Sequence, residues 1–183
     1  MKKLLLSLSI FFLISISYAE DNFKIELDNL FNQLKTTNSS IDAKEIESKI
    51  WELWTTHPSE ESLTKLLAKG SYYMSRNELT TAHNVFSKAI ELDPNWAEAW
   101  NKRATVLYLM GNYELSQKDI DEVLRLEKRH FGALSGQGMV QTELKNYQKA
   151  IDSYIEAHKV YPSMKTPLLM IEKLQILIQQ ESI

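Results

Sequence analysis

The chain has 183 residues, of which 44% are hydrophobic and 25% charged, with five Gly and four Pro. This composition is typical of an ordered globular protein, so we expect one compact domain or one short array of repeats. The formal net charge is −3, and no block of basic residues is present that would follow a phosphate backbone. Nucleic acid is therefore not expected as a partner.

The chain contains no cysteine, which excludes two further features. A disulfide framework cannot form, so the protein must be stable through its core alone. The cysteine that is acylated in a bacterial lipoprotein is missing as well, so a lipid anchor of that kind is excluded.

The first segment, residues 1–19, has the features of an export signal. Lys2 and Lys3 precede an apolar run from Leu4 to Ile16, and small residues lead up to Ala19. The run is shorter than the roughly 20 residues of a membrane-spanning helix, which favours cleavage after Ala19 over a permanent anchor. Cleavage would leave 19 basic and 24 acidic side chains, a net charge of −5. We expect a periplasmic bacterial protein, with membrane attachment only if this segment is not cleaved.

Residues 20–62 have the hydrophobic spacing of two helices. The apolar side chains fall on one helical face in each half of the segment: Phe23, Leu27, Leu30, Phe31 and Leu34, then Ile46, Ile50, Leu53 and Trp54. Between them, residues 36–40 (TTNSS) break the pattern and can cap the second helix. We predict an N-terminal helical hairpin here. No segment shows the alternation of a half-buried strand, so no β-sheet is expected.

From residue 63 onward, side chains of similar size recur at an offset of 34 residues. Four sets of equivalent positions recur, of which the third is bulky and the other three are small or of moderate size: Gly70, Ala104 and Gly138; Ala82, Ser116 and Ala150; Phe86, Ile120 and Tyr154; Ala89, Val123 and Ala157. Such spacing indicates helical hairpins, because two antiparallel helices approach closely only where their side chains are small. The predicted contact points pair the first set with the second.

Turns and caps follow from the same register. Arg76-Asn77, Gly111-Asn112 and Lys145-Asn146 fall between the helices of each hairpin, and glycine and asparagine suit the left-handed conformation of a helix end. Asn95 followed by Glu98 predicts a capping box at the start of the next helix.

The pattern resembles that of the tetratricopeptide repeat (TPR) family, W-x2-L-G-x2-Y, then A, then A-x3-F, then P. The positions that match are Leu66, Gly70, Tyr73, Ala82, Phe86, Ala89 and Pro94; Trp100, Ala104, Ser116, Ile120 and Val123; and Leu134, Gly138, Ala150, Tyr154, Ala157 and Pro162. The departures are Leu107 and Gln141 at the tyrosine position, Lys128 at the proline position, and polar Lys69, Arg103 and Gln137 where the family often has leucine.

The resemblance implies an all-α fold of TPR-type helical-hairpin repeats stacked in a short right-handed superhelix, an α-solenoid. The expected units are residues 63–96, 97–130 and 131–164, followed by a C-terminal capping helix at 165–183. One hairpin cannot bury its apolar face alone, so the ends need covers. The hairpin at 20–62 is accordingly a degenerate repeat or an N-terminal cap.

Motifs that suggest chemistry have simpler structural explanations. Gly136-Gln137-Gly138 lacks the third glycine and the preceding strand of a phosphate-binding loop, and Ser62 to Lys65 matches S-x-x-K without its companion motifs. The four histidines have no metal-ligand spacing and are expected at the surface or in packing: His57, His83, His130 and His158. We predict no catalytic residue, no metal site and no cofactor.

Arg103 has a partner implied by the resemblance. Many TPR units carry an arginine before the small residue of the first helix and an aspartate in the second helix that answers it. Here these positions are Arg103 and Asp119, so we expect an ion pair inside the second unit. Trp100 is expected to be a buried packing residue.

The resemblance also implies that the first helix of each unit lines a concave face that receives a peptide or partner helix. The predicted groove residues are Met74, Glu98, Asn101, Thr105, Tyr108, Ser135 and Met139. Some family members hold a terminal carboxylate in a clamp of basic and amide side chains. The matching positions here carry only one charge, so that clamp is not supported: Leu67, Ser71, Lys102, Gly132 and Gly136.

The expected function is a non-enzymatic, periplasmic protein–protein interaction scaffold that binds a peptide segment or a partner subunit in envelope assembly or maintenance. The alternative is a self-association module that forms homo-oligomers through exposed repeat faces. A third hypothesis, an enzyme with its site between the N-terminal hairpin and the repeats, lacks any clustered set of titratable residues in the sequence.

Overall fold

The computed structural model of the chain describes residues 22–181, and all of its regular structure is helical. The helices are α1 (22–36), α2 (Ser40–Thr55), α3 (Glu61–Ser75), α4 (Leu79–Leu92), α5 (Ala97–Leu109), α6 (Tyr113–Leu126), α7 (Phe131–Glu143), α8 (Tyr147–Val160) and α9 (Lys165–Glu181). Within this range, no helix combines the length and the hydropathy needed to cross a membrane. The predicted export signal lies outside the described residues.

The predicted all-α repeat fold is confirmed. Helices α3 and α4 form the first unit, α5 and α6 the second, and α7 and α8 the third, with each unit packed on the next. Helices α4, α6 and α8 begin 34 residues apart, as do α5, α7 and α9. Helix α9 therefore packs on α8 in the place that the first helix of another unit would take.

The turns within the units contain the left-handed residues that a tight helix-to-helix turn needs. Gly111 has φ 76°, and Asn77 has φ 59°. In the third unit the left-handed residue is Lys145, also at φ 59°, and not Asn146. Asn146 instead donates from Nδ2 to Oε1 of Gln141, 2.9 Å away, just before α8 begins.

The small residues of the first helices leave room for bulky residues of the second helices. A Cβ on Gly138 would lie 2.6 Å from Cζ of Tyr154, and a Cβ on Gly70 would clash with the ring of Phe86. Each of these two glycines therefore contacts an aromatic ring most closely, and not the alanine that was predicted to face it. In the second unit, Ser116 Oγ donates to the carbonyl oxygen of Ala104 at 2.8 Å, which joins the predicted pair directly.

The N-terminal hairpin, α1 and α2, does not extend the stack as a fourth unit. Its apolar core is shared with Phe131, at the start of α7, and Tyr161, just after α8. The buried side chains of this core are Leu27, Leu30, Phe31, Leu34, Ala43, Ile46, Ile50, Trp54, Phe131 and Tyr161. Large aromatic side chains on α2 need burial, and the second and third units provide it.

Helix α2 contacts three joints, which are residues 93–96 and 127–130 between successive units and residues 161–164 between the third unit and α9. At the third joint, the hydroxyl of Tyr161 donates to Glu47 at 3.0 Å. At the second, Trp54 stacks on His130 with ring centroids 3.9 Å apart. At the first, Trp96 Nε1 donates to the carbonyl oxygen of Trp54 at 2.9 Å. The N-terminal hairpin therefore ties all three joints together.

Candidate functional site

Four of the seven predicted groove residues meet around one opening between α5 and α7. Asn101, Thr105 and Tyr108 line it from α5, and Met139 lines it from α7. We call this opening the α5–α7 slot; its volume is about 70 Å³. Its remaining lining residues are small or apolar apart from one serine: Ala104, Ser116, Ile120, Gly132, Ala133, Gly136 and Val140.

Three side-chain donors around the α5–α7 slot are directed at acceptors within the chain. Asn101 Nδ2 donates to Oε2 of Glu98 at 2.9 Å, and Thr105 Oγ1 donates to the carbonyl oxygen of Asn101 at 2.9 Å. The hydroxyl of Tyr108 points to Oε1 of Glu143 at 3.4 Å. Burial and the Glu143 carboxylate both raise the pKa of Tyr108, so this hydroxyl stays protonated at neutral pH. The slot consequently offers mainly apolar contact.

The other three predicted groove residues do not line this slot. Met74 packs beside the core of the first unit. Ser135 is half-buried on α7, and its hydroxyl has no hydrogen-bond partner among the described residues. Glu98 is only 1% exposed, so its assignment to an accessible groove is wrong.

The buried carboxylate of Glu98 belongs to a cluster of charged and polar side chains beneath α2. Its Oε2 lies 3.0 Å from Nε2 of His130, and its Oε1 lies 3.1 Å from Nζ of Lys102. Burial opposes ionisation of this carboxyl, but the hydrogen bond from His130 and the nearby Lys102 ammonium outweigh it and lower the pKa of Glu98.

The predicted capping box of Asn95 and Glu98 is wrong. The residue before α5 is Trp96, which makes no side-chain cap, and the carboxylate of Glu98 is engaged by His130 and Lys102.

His130 has one tautomer that satisfies both of its contacts. Its Nδ1 accepts from the backbone N–H of Ala133 at 3.1 Å, so the ring proton is on Nε2, which donates to Glu98. His57 repeats the arrangement at α3, because Nδ1 accepts from the N–H of Glu60 and Nε2 donates to Asp93. Both rings are packing residues, and His130 is also the N-cap residue of α7, whereas His57 lies three residues before the N-cap of α3. In the described part of the chain, no group of three or more His, Asp or Glu converges to hold a metal ion.

Helix α2 contacts two of the five clamp positions, Gly132 and Lys102. The indole of Trp51 rests on Gly132, where a Cβ would come 2.7 Å from Cη2 of the ring. The ammonium of Lys102 is 5.7 Å from the centroid of the same indole and is already paired with Glu98. The only charged clamp position therefore has an internal partner.

The expected ion pair in the second unit is present and bidentate. Arg103 Nε and Nη2 donate to the two carboxylate oxygens of Asp119 at 2.7 and 2.8 Å. A third nitrogen, Nη1, reaches Oγ of Ser87 in the first unit at 3.2 Å, so the pair also links two units. The guanidinium lies 5.0 Å from the centroid of the Trp100 ring. Trp100 is half-buried, not fully buried, and its Nε1 donates to the carbonyl oxygen of Pro94 at 2.9 Å.

Sequence patterns did not indicate that Trp51, Trp54 and His130 would pack together beside the groove. The spacing of the two tryptophans indicates a buried helical face, but it carries no information on which surface covers that face. The single signal for His130 is its position directly before the predicted start of α7, where a side-chain acceptor can cap the helix.

Comparison with known proteins agrees with the repeat architecture. A TPR repeat profile matches residues 70–111, and a tetratricopeptide repeat profile matches residues 97–130. A TPR repeat-containing protein of Rhizobium etli is 34% identical over 148 residues, which cover 81% of this chain and 72% of that protein. Other curated relatives match this chain over less than a third of their own length.

Solved structures share the fold at low sequence identity. The first TPR of Spaghetti (RPAP3), bound to an HSP90 peptide, superposes with a TM-score of 0.63 at 17% identity over 65% of this chain and 94% of that one. The Yersinia enterocolitica type III secretion chaperone SycD, in complex with a peptide of the translocator YopD, gives 0.61 at 15% identity over 66% and 98%. These structures share the fold, and the Rhizobium relative together with the two repeat profiles establishes the family: the chain belongs to the tetratricopeptide repeat proteins.

Proposed function

We propose that the protein is a non-enzymatic interaction scaffold that binds a peptide segment or a partner subunit on its concave face. The α5–α7 slot is the observation that carries this proposal, because it is an accessible apolar opening on the face formed by the first helices of the units. Two structural neighbours, the Spaghetti domain and SycD, are bound to peptides, which supports the same use of the fold here.

The partner is not held by a carboxylate clamp. Lys102 is engaged by Glu98 and covered by Trp51, and the other clamp positions carry no charge. Binding therefore depends on side chains that enter the α5–α7 slot, and affinity should change little with salt concentration.

The proposed location is the periplasm, and the proposed process is envelope assembly or maintenance. The features that support it are the two lysines, the apolar run and the small residues up to Ala19. N-terminal sequencing of the protein from a periplasmic fraction tests it. A mature chain that begins at Glu20 is the expected result, whereas an uncleaved cytosolic chain would refute the location without affecting the groove.

Site-specific photo-crosslinking in cells tests the groove. A photoreactive residue at Tyr108 or at Met139, which is 43% exposed, should give the same discrete adduct. The matched control is Thr80, an exposed residue on the second helix of the first unit. A specific adduct from Thr80, with only bystander products from Tyr108 and Met139, would refute binding on the concave face.

Self-association is a second candidate function, and one observation favours it. Helix α9 exposes three large apolar side chains: Leu168, Leu169 and Ile176. Light scattering at micromolar concentration separates the two functions, because a stable monomer would refute self-association. A homo-oligomer that dissociates when these three residues are replaced by lysine would support it.

A further inference from the structure

The α5–α7 slot continues a surface that is already occupied inside the chain. Gly132 and Gly136 lie one turn apart on the same face of α7. The Gly132 position is filled by the indole of Trp51 from α2. A Cβ placed on Gly136 would meet only Cδ1 of Ile120, at an ordinary 3.7 Å, so this second position is open. The slot is therefore the vacant continuation of the contact that α2 makes with α5 and α7.

We infer that the occupant of the α5–α7 slot is a helix of a partner protein, which lies beside α2 and inserts a branched aliphatic side chain next to Gly136. The inference rests on the proposed function and makes it more specific, because it names both the conformation of the bound segment and the class of side chain.

The size and polarity of the slot select an aliphatic side chain. At about 70 Å³, the slot has roughly half the volume of an engineered cavity of about 150 Å³ that admits benzene. Leucine, isoleucine or valine suits this volume better than an aromatic ring. The buried part of the lining is apolar except for Asn101 and Ser116, and Ser116 Oγ already donates to the carbonyl oxygen of Ala104. A polar side chain would thus lose its water without gaining a partner.

The hydrogen-bonding state of the slot selects a helix over an extended segment. An extended peptide carries backbone N–H and C=O groups that need partners when they are buried. The side chains that line the slot supply few, because Asn101 Nδ2, Thr105 Oγ1 and Tyr108 OH are directed at groups within the chain. A helix satisfies its own backbone and needs only shape.

The neighbouring occupant shows that this surface accepts a helix. Helix α2 lies against α5, and Trp51 approaches α7 closely because residue 132 is glycine. Gly136 permits the same close approach one turn further along. Met139, an unbranched and flexible side chain at the rim, can adjust to the partner's surface.

Two display libraries selected against the immobilised full-length chain test the inference. One presents helices on a helical-hairpin scaffold with a randomised surface, and the other presents unstructured linear peptides. Clones from each are then titrated against four proteins: the unchanged chain, Gly136→Leu, Gly136→Ala and Thr80→Leu. Gly136→Leu fills the slot, Thr80→Leu adds the same side chain on the far side of the first unit, and thermal unfolding verifies that each variant is folded.

The inference predicts that the helical library yields binders with leucine, isoleucine or valine at one required position. Gly136→Leu should weaken these binders at least tenfold, Gly136→Ala less, and Thr80→Leu not at all. If only linear peptides bind and Gly136→Leu weakens them, the helix is refuted while groove binding stands. If no clone from either library depends on Gly136, the slot is not a docking site and the proposed function fails with it.

Discussion

Glu98 carries a carboxylate that is 1% exposed, so the groups around it must stabilise its negative charge in place of water. Burying a charge costs several kcal/mol unless it is paired, and removal of one partner is far more harmful than replacement of the whole set. Here His130, Asn101 and Lys102 all point at the carboxylate. This cluster fixes the start of α7 relative to α5, and the groove geometry depends on it.

We expect Glu98→Gln to lower the free energy of unfolding at pH 7 by about 1–3 kcal/mol, because a buried charged hydrogen-bond acceptor is lost. The pKa of Glu98 is lowered by folding, so its contribution is full above the unfolded value near 4.3 and is lost as the pH falls through the folded value. The difference between the two proteins, measured by urea unfolding, should therefore shrink below about pH 4.

Glu114→Gln is the matched control, since Glu114 is an exposed carboxylate in the first turn of α6. It should change stability by less than about 0.5 kcal/mol at any pH. A difference between wild type and Glu98→Gln that grows on acidification would contradict the assigned ionisation of Glu98.

The ion pair of Arg103 and Asp119 lends itself to a double-mutant cycle. The two side chains are 20% and 6% exposed, so the pair is only partly screened by solvent. Arg103→Met and Asp119→Leu should each cost a few kcal/mol, because each leaves the other charge without its partner. The double mutant should lose about 1–3 kcal/mol less than the sum of the single mutants in thermal or urea unfolding. Additive losses would show that the two residues do not interact.

At the scale of the helix, two glycines of α7 should respond to alanine in opposite directions. A methyl group on Gly138 would lie 2.6 Å from the Tyr154 ring, so α7 and α8 would have to separate. We expect Gly138→Ala to destabilise the protein by about 1–3 kcal/mol, the usual cost of overpacking. Gly136→Ala, two residues earlier, makes only an ordinary contact and should stabilise by about 0.5–1 kcal/mol through helix propensity.

Thermal unfolding of the two alanine variants measures this difference in stability, and each variant serves as the other's control. A Gly138→Ala protein as stable as Gly136→Ala would mean that the first and second helices of the third unit are not in close contact at this position.

The helices of the repeats were predictable because their signals are local and periodic. The offset of 34 residues identifies Gly138 as a close-contact position of its hairpin and brings Asn101, Thr105, Tyr108 and Met139 to one face. The contact partner of Gly138 is the Tyr154 ring, whereas the predicted partner is Ala150. Glu98 lies on the same face of the repeat register, but unlike Tyr108 and Met139 its side chain is buried. Its burial depends on His130, which follows another 32 residues along the chain.

The N-terminal hairpin was predictable as two helices but not in its position. Trp54 belongs to the predicted apolar face of α2, yet the residues that pack on it, His130 and Phe131, are more than 70 positions away in the chain. A pattern in one sequence specifies which side chains need partners, and only the assembled fold specifies the partners. The sequence predicted a degenerate repeat or an N-terminal cap without naming the covered surface, and in the structure the aromatic residues pack against the second and third units.

At the scale of the whole molecule, the N-terminal hairpin should change how the repeats unfold. A solenoid whose units contact only their neighbours can lose its ends first. Here one helix contacts all three joints, so we expect a single transition with coincident changes in far-ultraviolet circular dichroism and tryptophan fluorescence. Trp54→Ala, which removes the ring stacked on His130, should lower the free energy of unfolding by about 3–5 kcal/mol. The transitions followed by circular dichroism and by fluorescence should then no longer coincide.

Ile41→Ala is the control for this substitution, because Ile41 lies on the same helix and is 78% exposed. It should leave both the midpoint and the coincidence of the transitions unchanged. Separate transitions in the unchanged protein, or a Trp54→Ala protein that still unfolds in one step, would contradict the linking role of α2.

The contacts of the N-terminal hairpin also set the order of events during synthesis. Asp28 pairs with Arg129, which is 101 residues later, and Glu47 pairs with Tyr161, which is 114 residues later. At about 5–20 residues per second, the hairpin waits roughly 5–20 s for these partners to be made. Throughout that interval the indoles of Trp51 and Trp54 lack the His130 and Phe131 rings that they pack against in the folded protein. We therefore expect part of this aromatic surface to stay exposed on the nascent chain until the start of the third repeat has been made.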